Sequence, residues 1–252
     1  MEKLLDEIES YWNTRTEGYS EVNHKELAGT QKNAWLKLLT SYFPDKPKEE
    51  IRILDIGTGP GFFPVILAEA GYKVDAVDYT EGMLEKAKEN AGELCKNIHF
   101  QRMDAQKLEF ADNTFDIVIS RNLTWNLEHP DIAYSEWVRV LKAGGRLLNF
   151  DANWYGYLYE EEQRKAYEND RKNVESNSLD DHYLCTDIER MERIALQVPL
   201  SKIHRPQWDV KTLRNTGLMG IHTDTEIWKT VWSEEERLNY QSTPMFMVTG
   251  VK

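Results

Sequence analysis

The sequence predicts an α/β fold, in which a mostly parallel sheet is covered by helices on both faces. Two observations predict it. Short apolar runs alternate with helix-like stretches from residue 51 to about residue 151, and the first apolar run leads directly into the glycine-rich turn "GTGPG" at 57–61. A chain of 252 residues is long enough for one large domain of this kind, with right-handed crossovers between its strands.

The elements follow in order. Residues 1–12 and about 24–43 read as amphipathic helices, and the "YWNTRTEGYS" segment between them reads as a loop or broken helix. The predicted strands of the central region are 51–57, 73–78, 98–104, 115–120 and 145–151, the last one following a turn at Gly144 and Gly145. Helices are predicted at 60–71, 80–94 and about 130–142, with Pro60 in a first turn and Gly71 just past an end.

The regular alternation stops after residue 150. Residues 151–208 are aromatic and acidic and are interpreted as a cap inserted above the sheet, in which "YEEEQRKAYENDRK" is a solvated helix face. A short helix at 209–217, a strand near "MGIHTDTEI" and a terminal strand "PMFMVTGVK" complete the sheet. The predicted units are therefore N-terminal helices (1–45), a core (46–150), a cap (151–208) and C-terminal strands (209–252).

Composition limits the function. A net charge of −12 disfavours nucleic acid and anionic membranes as partners, and no apolar run reaches the roughly 18 residues of a membrane span. The acidic start "MEKLLDEIES" does not read as a secretory signal. Cys95 and Cys185 have no metal-like spacing and predict neither a disulfide nor a metal site. We therefore expect a cytoplasmic protein without a metal.

The glycine turn raises the question of which ligand approaches the backbone so closely. A dinucleotide site needs G-x-G-x-x-G, whereas here Pro60 removes an N–H donor and Asp55 would repel a phosphate. Asp78 ends the second strand, 21 residues after Gly57, where its two oxygens can accept hydrogen bonds from both ribose hydroxyls. A ligand with a ribose and a cationic amine but no phosphate fits S-adenosyl-L-methionine (SAM) better than NAD.

Five segments resemble one family in order and spacing. "LDIGTGPGFF", "VDAVDYTEGML", "FQRMDAQKLEF", "FDIVISRNLTWNL" and "RVLKAGGRLLNFD" are similar to the motifs of class I SAM-dependent methyltransferases. The motif sequences are closest to those of the small-molecule enzymes of ubiquinone and menaquinone biosynthesis, and the resemblance covers residues 10–150. The resemblance implies a Rossmann-like, seven-stranded sheet and SAM-dependent methyl transfer.

Carried over by position, the resemblance implies a set of cofactor-binding residues. Those facing the methionine part would be Asp55 and the backbone of Gly57 and Gly59, and Thr58 and Gly61 would also bind the cofactor. Those at the nucleoside would be Asp78 on the ribose, Tyr79 and Met83 on the adenine, and Asp104 and Ala105 at its edge. Arg121 and Asn122 would line the floor near the sulfonium, and Tyr11 and Tyr19 would close over the cofactor.

Methyl transfer is an in-line displacement on an activated donor, so it depends mainly on alignment and exclusion of water. A general base is required only for a weakly acidic nucleophile, and His182 and His204 are the candidates. Substrate contacts are predicted for Trp125, Asn126, Trp154, Tyr155, Tyr157 and Trp208, with further polar or aromatic candidates at His129, Asp151, Asn153, Tyr159, Asp181 and Arg205. These side chains suit a flat or cationic small molecule.

Other functions fit less well. This chain has no third glycine in the register that an NAD oxidoreductase requires. An amino-methylating nucleic-acid enzyme would carry N/D-P-P-aromatic where this chain has "SRNLTW". Arsenic methylation needs more than the two thiolates that this chain contains. The alternative from another class is a SAM-binding sensor or scaffold without catalysis. The acceptor, its methylated atom and the oligomeric state stay open at this stage.

Overall fold

The structure, a computed structural model, describes residues 4–182 and 186–252. Its strands are β1 (Arg52–Ile56), β2 (Lys73–Asp78), β3 (Ile98–Arg102), β4 (Phe115–Arg121), β5 (Leu141–Asp151), β6 (Met219–Asp224) and β7 (Phe246–Val251). The helices are α1 (Leu4–Ala28), α2 (Gln31–Thr40), α3 (Phe62–Glu69), α4 (Glu81–Ala91), α5 (Pro130–Val140), α6 (Glu161–Ser176), α7 (Ile188–Ala195), α8 (Gln207–Asn215), α9 (Trp228–Val231) and α10 (Glu234–Asn239).

The seven strands form one sheet in the order β3-β2-β1-β4-β5-β7-β6. The first five strands are parallel to one another, whereas β7 is antiparallel to both β5 and β6. The strand order reverses beside β1, so the carboxyl ends of β1 and β4 open a crevice where a ligand can sit. The prediction of an α/β fold with a seven-stranded, mostly parallel sheet is confirmed.

Two apolar layers cover the sheet. One contains Phe115, Trp137 and Leu147 and packs mainly with α5 and α8, while the other contains Trp35, Phe63 and Phe150 and packs with α2 and α3. The central strands are apolar toward both layers, which is why β1 and β4 read as continuous hydrophobic runs.

The N-terminal segment differs from the prediction. α1 is one continuous helix through "YWNTRTEGYS", and the break comes instead at Gly29 and Thr30. Packing against α4 accounts for the difference: Asn13 Oδ1 accepts the Gly82 N–H, and a side chain at Gly82 would collide with Asn13 and Thr16 at 2.9 Å. Tertiary contact thus overrides a sequence whose polar and aromatic residues give no clear helical stripe.

The C-terminal region also holds elements that the sequence pattern did not predict. β5 begins at Leu141, ahead of the glycine pair, and its register against β4 is irregular between Leu141 and Arg146. Between β6 and β7 lie the short helices α9 and α10, and Ser233 and Glu236 form a capping box at the start of α10. One to two helical turns are too short to show a reliable apolar period.

The segment 152–206 is held to the sheet by a buried charged network. Arg205 donates to Asp151 on β5 at 2.6 Å and to Asp209 on α8 at 2.6 Å, and all three side chains are fully buried. The Tyr134 hydroxyl donates to Asp209 and accepts from Asn149 Nδ2. Burial beside carboxylates raises the pKa of Tyr134, which keeps its hydroxyl protonated.

Within the described ranges, no helix combines the length and apolar character needed to cross a membrane. The same residues contain no group of three or more His, Cys, Asp or Glu side chains placed to hold a metal ion. Cys95 carries a thiol and is half-buried, and Cys185 lies outside the described residues.

Candidate active site

The glycine turn joins β1 to α3 at the crevice. Gly57, Gly59 and Gly61 all have positive φ, at 68°, 53° and 89°. A side chain at Gly59 would meet nothing within 4 Å, so this backbone faces open space that a ligand can enter. A side chain at Gly61 would meet Ala87 at 3.0 Å, so Gly61 serves the packing of the turn against α4.

Asp78 at the end of β2 fixes this turn. Its Oδ2 accepts the Gly59 N–H at 2.8 Å and its Oδ1 accepts the Thr80 N–H at 2.9 Å. A carboxylate oxygen accepts two hydrogen bonds, so each oxygen keeps one lone pair for a ligand. Burial raises the pKa of Asp78, and the backbone N–H groups act against that rise.

A small cavity of about 110 Å³ lies beside Asp78. Tyr79, Met83, Asp104, Ala105 and Asn126 are among its lining residues, together with Leu5, Ile8 and Trp12 of α1. Most of its wall is apolar, as a flat heteroaromatic ring requires. Asn126 Oδ1 is buried and has no hydrogen-bond partner in the described chain, so a donor from a ligand would satisfy it.

A larger cavity of about 550 Å³ lies on the other side of the glycine turn. It takes in Asp55, Thr58, Tyr11 and Arg121, and it extends under the cap to Trp125, Trp154, Tyr155 and His182. The two cavities meet, because both are lined by Trp12, Tyr19, Gly57, Gly59, Arg121 and Asn122. The junction is where a ligand held at Asp78 would face a second molecule.

Asp55 brings a buried carboxyl group to the larger cavity. Its side chain is 2 % exposed, and its Oδ2 lacks a hydrogen-bond partner among the residues described. Burial raises its pKa to about 7, while Thr58 and Arg121 oppose the rise. A cationic group beside Asp55 would therefore be strongly stabilised.

Arg121 ends β4 at the cavity junction. Its guanidinium donates to both oxygens of Glu26 on α1, at 2.8 and 3.0 Å, and it packs over the rings of Phe62 and Phe63 at 4.8 and 5.1 Å. Arg121 therefore ties α1 down over the cavities with a bidentate ion pair. Asn122, the next residue, adopts a positive φ of 57° at the turn out of β4.

His182 lies at the far end of the larger cavity between two partners. Its Nδ1 is 2.9 Å from the Tyr240 hydroxyl and its Nε2 is 3.2 Å from Glu235 Oε1. Tyr240 itself lines the cavity beside Trp154, with ring centroids 5.2 Å apart. The three side chains form a chain of proton-accepting and proton-donating groups that reaches the cavity wall.

Three other predicted residues lie outside both cavities. His204 is 71 % exposed and pairs with Glu160 at 3.0 Å, Tyr157 is stacked on Tyr167 within an apolar cluster and donates to Glu192, and Trp208 is stacked on Tyr134 beside α8. His204, Tyr157 and Trp208 therefore line neither of the two cavities, and their predicted roles stay predictions. A side chain at Gly61 would face Ala87 of α4, and the predicted contact of Gly61 with the cofactor also stays a prediction.

Several of the further candidates are also structural. Asp151 and Arg205 belong to the buried network, and Asn153 exchanges hydrogen bonds with the Arg205 backbone. His129 and Tyr159 are exposed and line neither cavity. Asp181 does line the larger cavity, where it pairs with Arg171 at 2.6 Å.

The sequence pattern missed some cavity residues altogether: Trp12, Glu26, Trp232, Glu236 and Tyr240. Trp12 belongs to the segment that also contains Tyr11 and Tyr19, the two tyrosines predicted to cover the cofactor. Because α1 is unbroken there, the Trp12 ring lies between the two tyrosine rings, 5.4 Å from Tyr11 and 5.5 Å from Tyr19. Glu26 lies on α1 and Glu236 on α10, whereas Trp232 and Tyr240 directly follow α9 and α10.

Comparison with known proteins adds to this geometry. Residues 54–149 match the family described as methyltransferase domain. The demethylmenaquinone methyltransferase of Renibacterium salmoninarum is 32% identical over 148 residues, which cover 59% of this chain and 60% of that protein. This region of the chain is similar to SAM-dependent methyltransferases, whose cofactor is SAM. The chain spans about 60% of the length of the first curated relatives it matches.

Solved structures resemble the chain in fold. Phosphoethanolamine N-methyltransferase 2 of Haemonchus contortus, in complex with SAM, aligns with a TM-score of 0.60 and 20% identity, over 87% of this chain and 52% of that one. The [4+2]-cyclase SpnF aligns with a TM-score of 0.56 and 16% identity, over 87% and 81% of the two chains. At these identities the likeness extends to the fold alone.

Proposed function

We propose that this chain transfers the methyl group of SAM to a small acceptor bound beneath residues 151–208, which act as a cap. The observation that carries the proposal is the meeting of two cavities at Gly57, Gly59, Arg121 and Asn122. One cavity suits a nucleoside and the other has room for a second molecule. A donor and an acceptor can thus meet at one point away from bulk water.

The residues present fit the cofactor. Asp78 keeps two acceptor positions for the ribose hydroxyls, and the apolar small cavity, with Met83 and Ala105, takes the adenine. Asp55 offers a buried, unpartnered carboxyl oxygen to the α-amino group. The open space at Gly59 lets the ligand approach the backbone. When bound, SAM supplies a methyl group already activated by the sulfonium.

The work of the protein is then to orient and enclose. Tyr11, Trp12 and Tyr19 on α1 cover the junction of the cavities, and the Arg121–Glu26 ion pair holds α1 in that place. Trp125, Trp154 and Tyr155 supply flat walls under the cap. Holding two reactants in line can contribute roughly 7–11 kcal/mol to lowering the barrier.

A proton from the acceptor can leave by way of His182. With Nε2–H donating to Glu235, Nδ1 can accept the proton of the Tyr240 hydroxyl, so that Tyr240 Oη can take a proton from the acceptor. We assign His182 as the general base on this geometry. Glu235 acts as a positioning residue, because its Oε1 accepts the Nε2–H of His182.

Label transfer tests the proposed activity. The protein is incubated with methyl-labelled SAM and a fractionated extract of its source cells, and labelled products are identified by mass spectrometry. We expect a labelled small molecule, and none with Asp78→Ala, because that variant loses both ribose contacts; Asp75→Ala on the same strand is the matched control. Label confined to nucleic acid or lipid would overturn the small-molecule class. Tight SAM binding without any labelled product would favour the non-catalytic sensor. A cytoplasmic location remains a prediction, to be checked by fractionation.

A further inference from the structure

The ionised groups around the larger cavity are mostly paired. Arg121 pairs with Glu26, Arg171 with Asp181 at 2.6 Å and Lys25 with Asp180 at 3.5 Å. Arg15 and Glu21 of α1 also line this cavity, and their opposite charges add nothing to the net charge of its lining. Besides Glu21, two carboxyl groups of the lining have no cation of the described residues within ion-pair distance: Asp55 and Glu236.

The proposed function pairs the carboxyl group of Asp55 with the α-amino group of the cofactor, and at this point the inference rests on the proposed function. Glu236 is not accounted for. It extends from α10, and its Oε2 accepts from Gln31 Nε2 at 2.6 Å and from the Ser233 N–H at 2.8 Å. Its Oε1 has no donor among the described side chains and backbone groups. Glu236 is half-buried and lines the cavity.

An aromatic wall lines the same cavity as this carboxylate. Trp232 lies four residues before Glu236, and its ring is 5.7 Å from that of Tyr240, which is in turn 5.2 Å from Trp154. All three rings line the cavity. The faces of aromatic rings attract organic cations, and the attraction is greatest where water is excluded. A carboxylate next to such rings is the chemistry that recognises an ammonium or amidinium group.

We propose that the methyl acceptor is a small organic cation whose positive charge is held between Glu236 and the ring wall of Trp154, Trp232 and Tyr240. A neutral ring compound could fill the same apolar space, but it would give the half-buried carboxyl group of Glu236 no ion-pair partner. The charge is a recognition feature of the acceptor, and it makes Glu236 a specificity-determining residue.

Isosteric probes test this assignment. Binding of choline and of its neutral isostere 3,3-dimethylbutan-1-ol is measured by ligand-observed NMR with S-adenosylhomocysteine at saturation, and the aromatic pair phenyltrimethylammonium and tert-butylbenzene is measured in the same way. We expect the cation of at least one pair to bind about tenfold tighter than its isostere, and Glu236→Gln to remove that preference. The glutamine keeps the capping box, so α10 stays folded.

Glu234→Gln is the matched control, because Glu234 is exposed on the same helix. It should leave both affinities unchanged. Equal binding of cation and isostere in both pairs, or an undiminished preference in Glu236→Gln, would overturn the assignment. Failure of S-adenosylhomocysteine itself to bind would instead overturn the proposed function, so the two failures are distinguishable by one calorimetric titration.

Discussion

Asp55 shows at the scale of one residue how burial creates a pH-dependent site. With its pKa raised to about 7, the carboxyl group is partly protonated near neutral pH and gains its full charge only above that value. The groups that face it, Thr58, Arg121 and Asp78, do not hold it ionised. A bound amine would favour the ionised form, so binding and proton release are linked.

We predict that affinity for S-adenosylhomocysteine rises with pH up to about pH 7 and then levels off. Below that pH the proton on Asp55 must leave before the amine is bound, which costs up to about tenfold in affinity per pH unit. Calorimetric titrations between pH 5 and 8 measure this. In Asp55→Asn the affinity should be lower at pH 8 and flat with pH; an unchanged slope in that variant would assign the titration to another group.

The same shift has a consequence for folding. Because the pKa of Asp55 is higher in the folded chain than in the unfolded one, the native state binds the additional proton between about pH 4 and pH 7. The contribution of Asp55 to stability is therefore greatest at low pH and is lost as pH rises through 7. This direction is opposite to that of Asp116, whose pKa is lowered to about 2 although burial acts to raise it, because Lys142 and Lys46 pair with it.

At the scale of single elements, α1 acts as the cover of both cavities. The pair between Glu26 and Arg121 lies near the C-terminal end of α1, whereas Tyr11 and Trp12 lie in its N-terminal half. The pair therefore anchors the C-terminal end of α1, while the N-terminal half lies over the nucleoside cavity. The ion pair that joins α1 to α4, Glu17 with Lys86, lies at the surface, where the Glu17 side chain is 76% exposed. An exposed pair contributes little to stability.

We predict that Glu26→Ala loosens α1 without unfolding the sheet. Removing one partner leaves the Arg121 guanidinium buried and unpaired, so the free energy of unfolding should fall by about 3 kcal/mol. Hydrogen exchange followed by mass spectrometry should show faster exchange in 4–28 and unchanged exchange in β1 and β4. Glu17→Ala is the control on the same helix and should alter neither; equal exchange in both variants would contradict the anchoring role.

The elements also show what the sequence could and could not reveal. β2 has the predicted bounds, since an apolar run that ends in an aspartate leaves little choice of register. Asp55 and Asp78 both line the cavities, as expected from their places near strand ends. His182 and Tyr240 are 58 residues apart, and no local period relates them. Their meeting depends on how the cap lies against α10, which is set by packing between distant segments.

The glycine turn gives a finer example. In the sequence, Gly57, Gly59 and Gly61 stand together as cofactor-binding candidates, and the structure gives two of them different surroundings: Gly59 faces open space and Gly61 faces Ala87. A sequence records that a side chain is absent, but the reason for its absence depends on which neighbour lies opposite. For α1, likewise, the helical continuity of "YWNTRTEGYS" comes from contacts with α4 that no period within the segment reports.

At the scale of the whole molecule, the network around Arg205 joins the cap to the sheet and to α8. One guanidinium stands between two carboxylates, all fully buried, so the network carries a net negative charge that neighbouring groups such as Tyr134 and Trp154 help to solvate. Burial works against ionisation of Asp151 and raises its pKa, while Arg205 opposes that rise.

We predict that Arg205→Met lowers the melting temperature by about 10 °C. Breaking a buried pair by removing one partner costs about 3–5 kcal/mol, and in a chain of this size each kcal/mol corresponds to about 2–4 °C. Differential scanning calorimetry measures the change. Arg214→Met, an exposed position on α8, is the control. If Arg205→Met melted within 2 °C of the parent, the network would not be what secures the cap.

The distribution of the two cavities along the chain has a genetic consequence. The lining of the nucleoside cavity comes entirely from residues 5–128, whereas the wall that we assign to the acceptor comes largely from 154–245. A recombination event near codon 150 would therefore exchange the acceptor wall and keep the cofactor half intact. Genes of this layout can acquire a new methyl acceptor in a single crossover, provided that the incoming half brings a strand able to fit between β5 and β6.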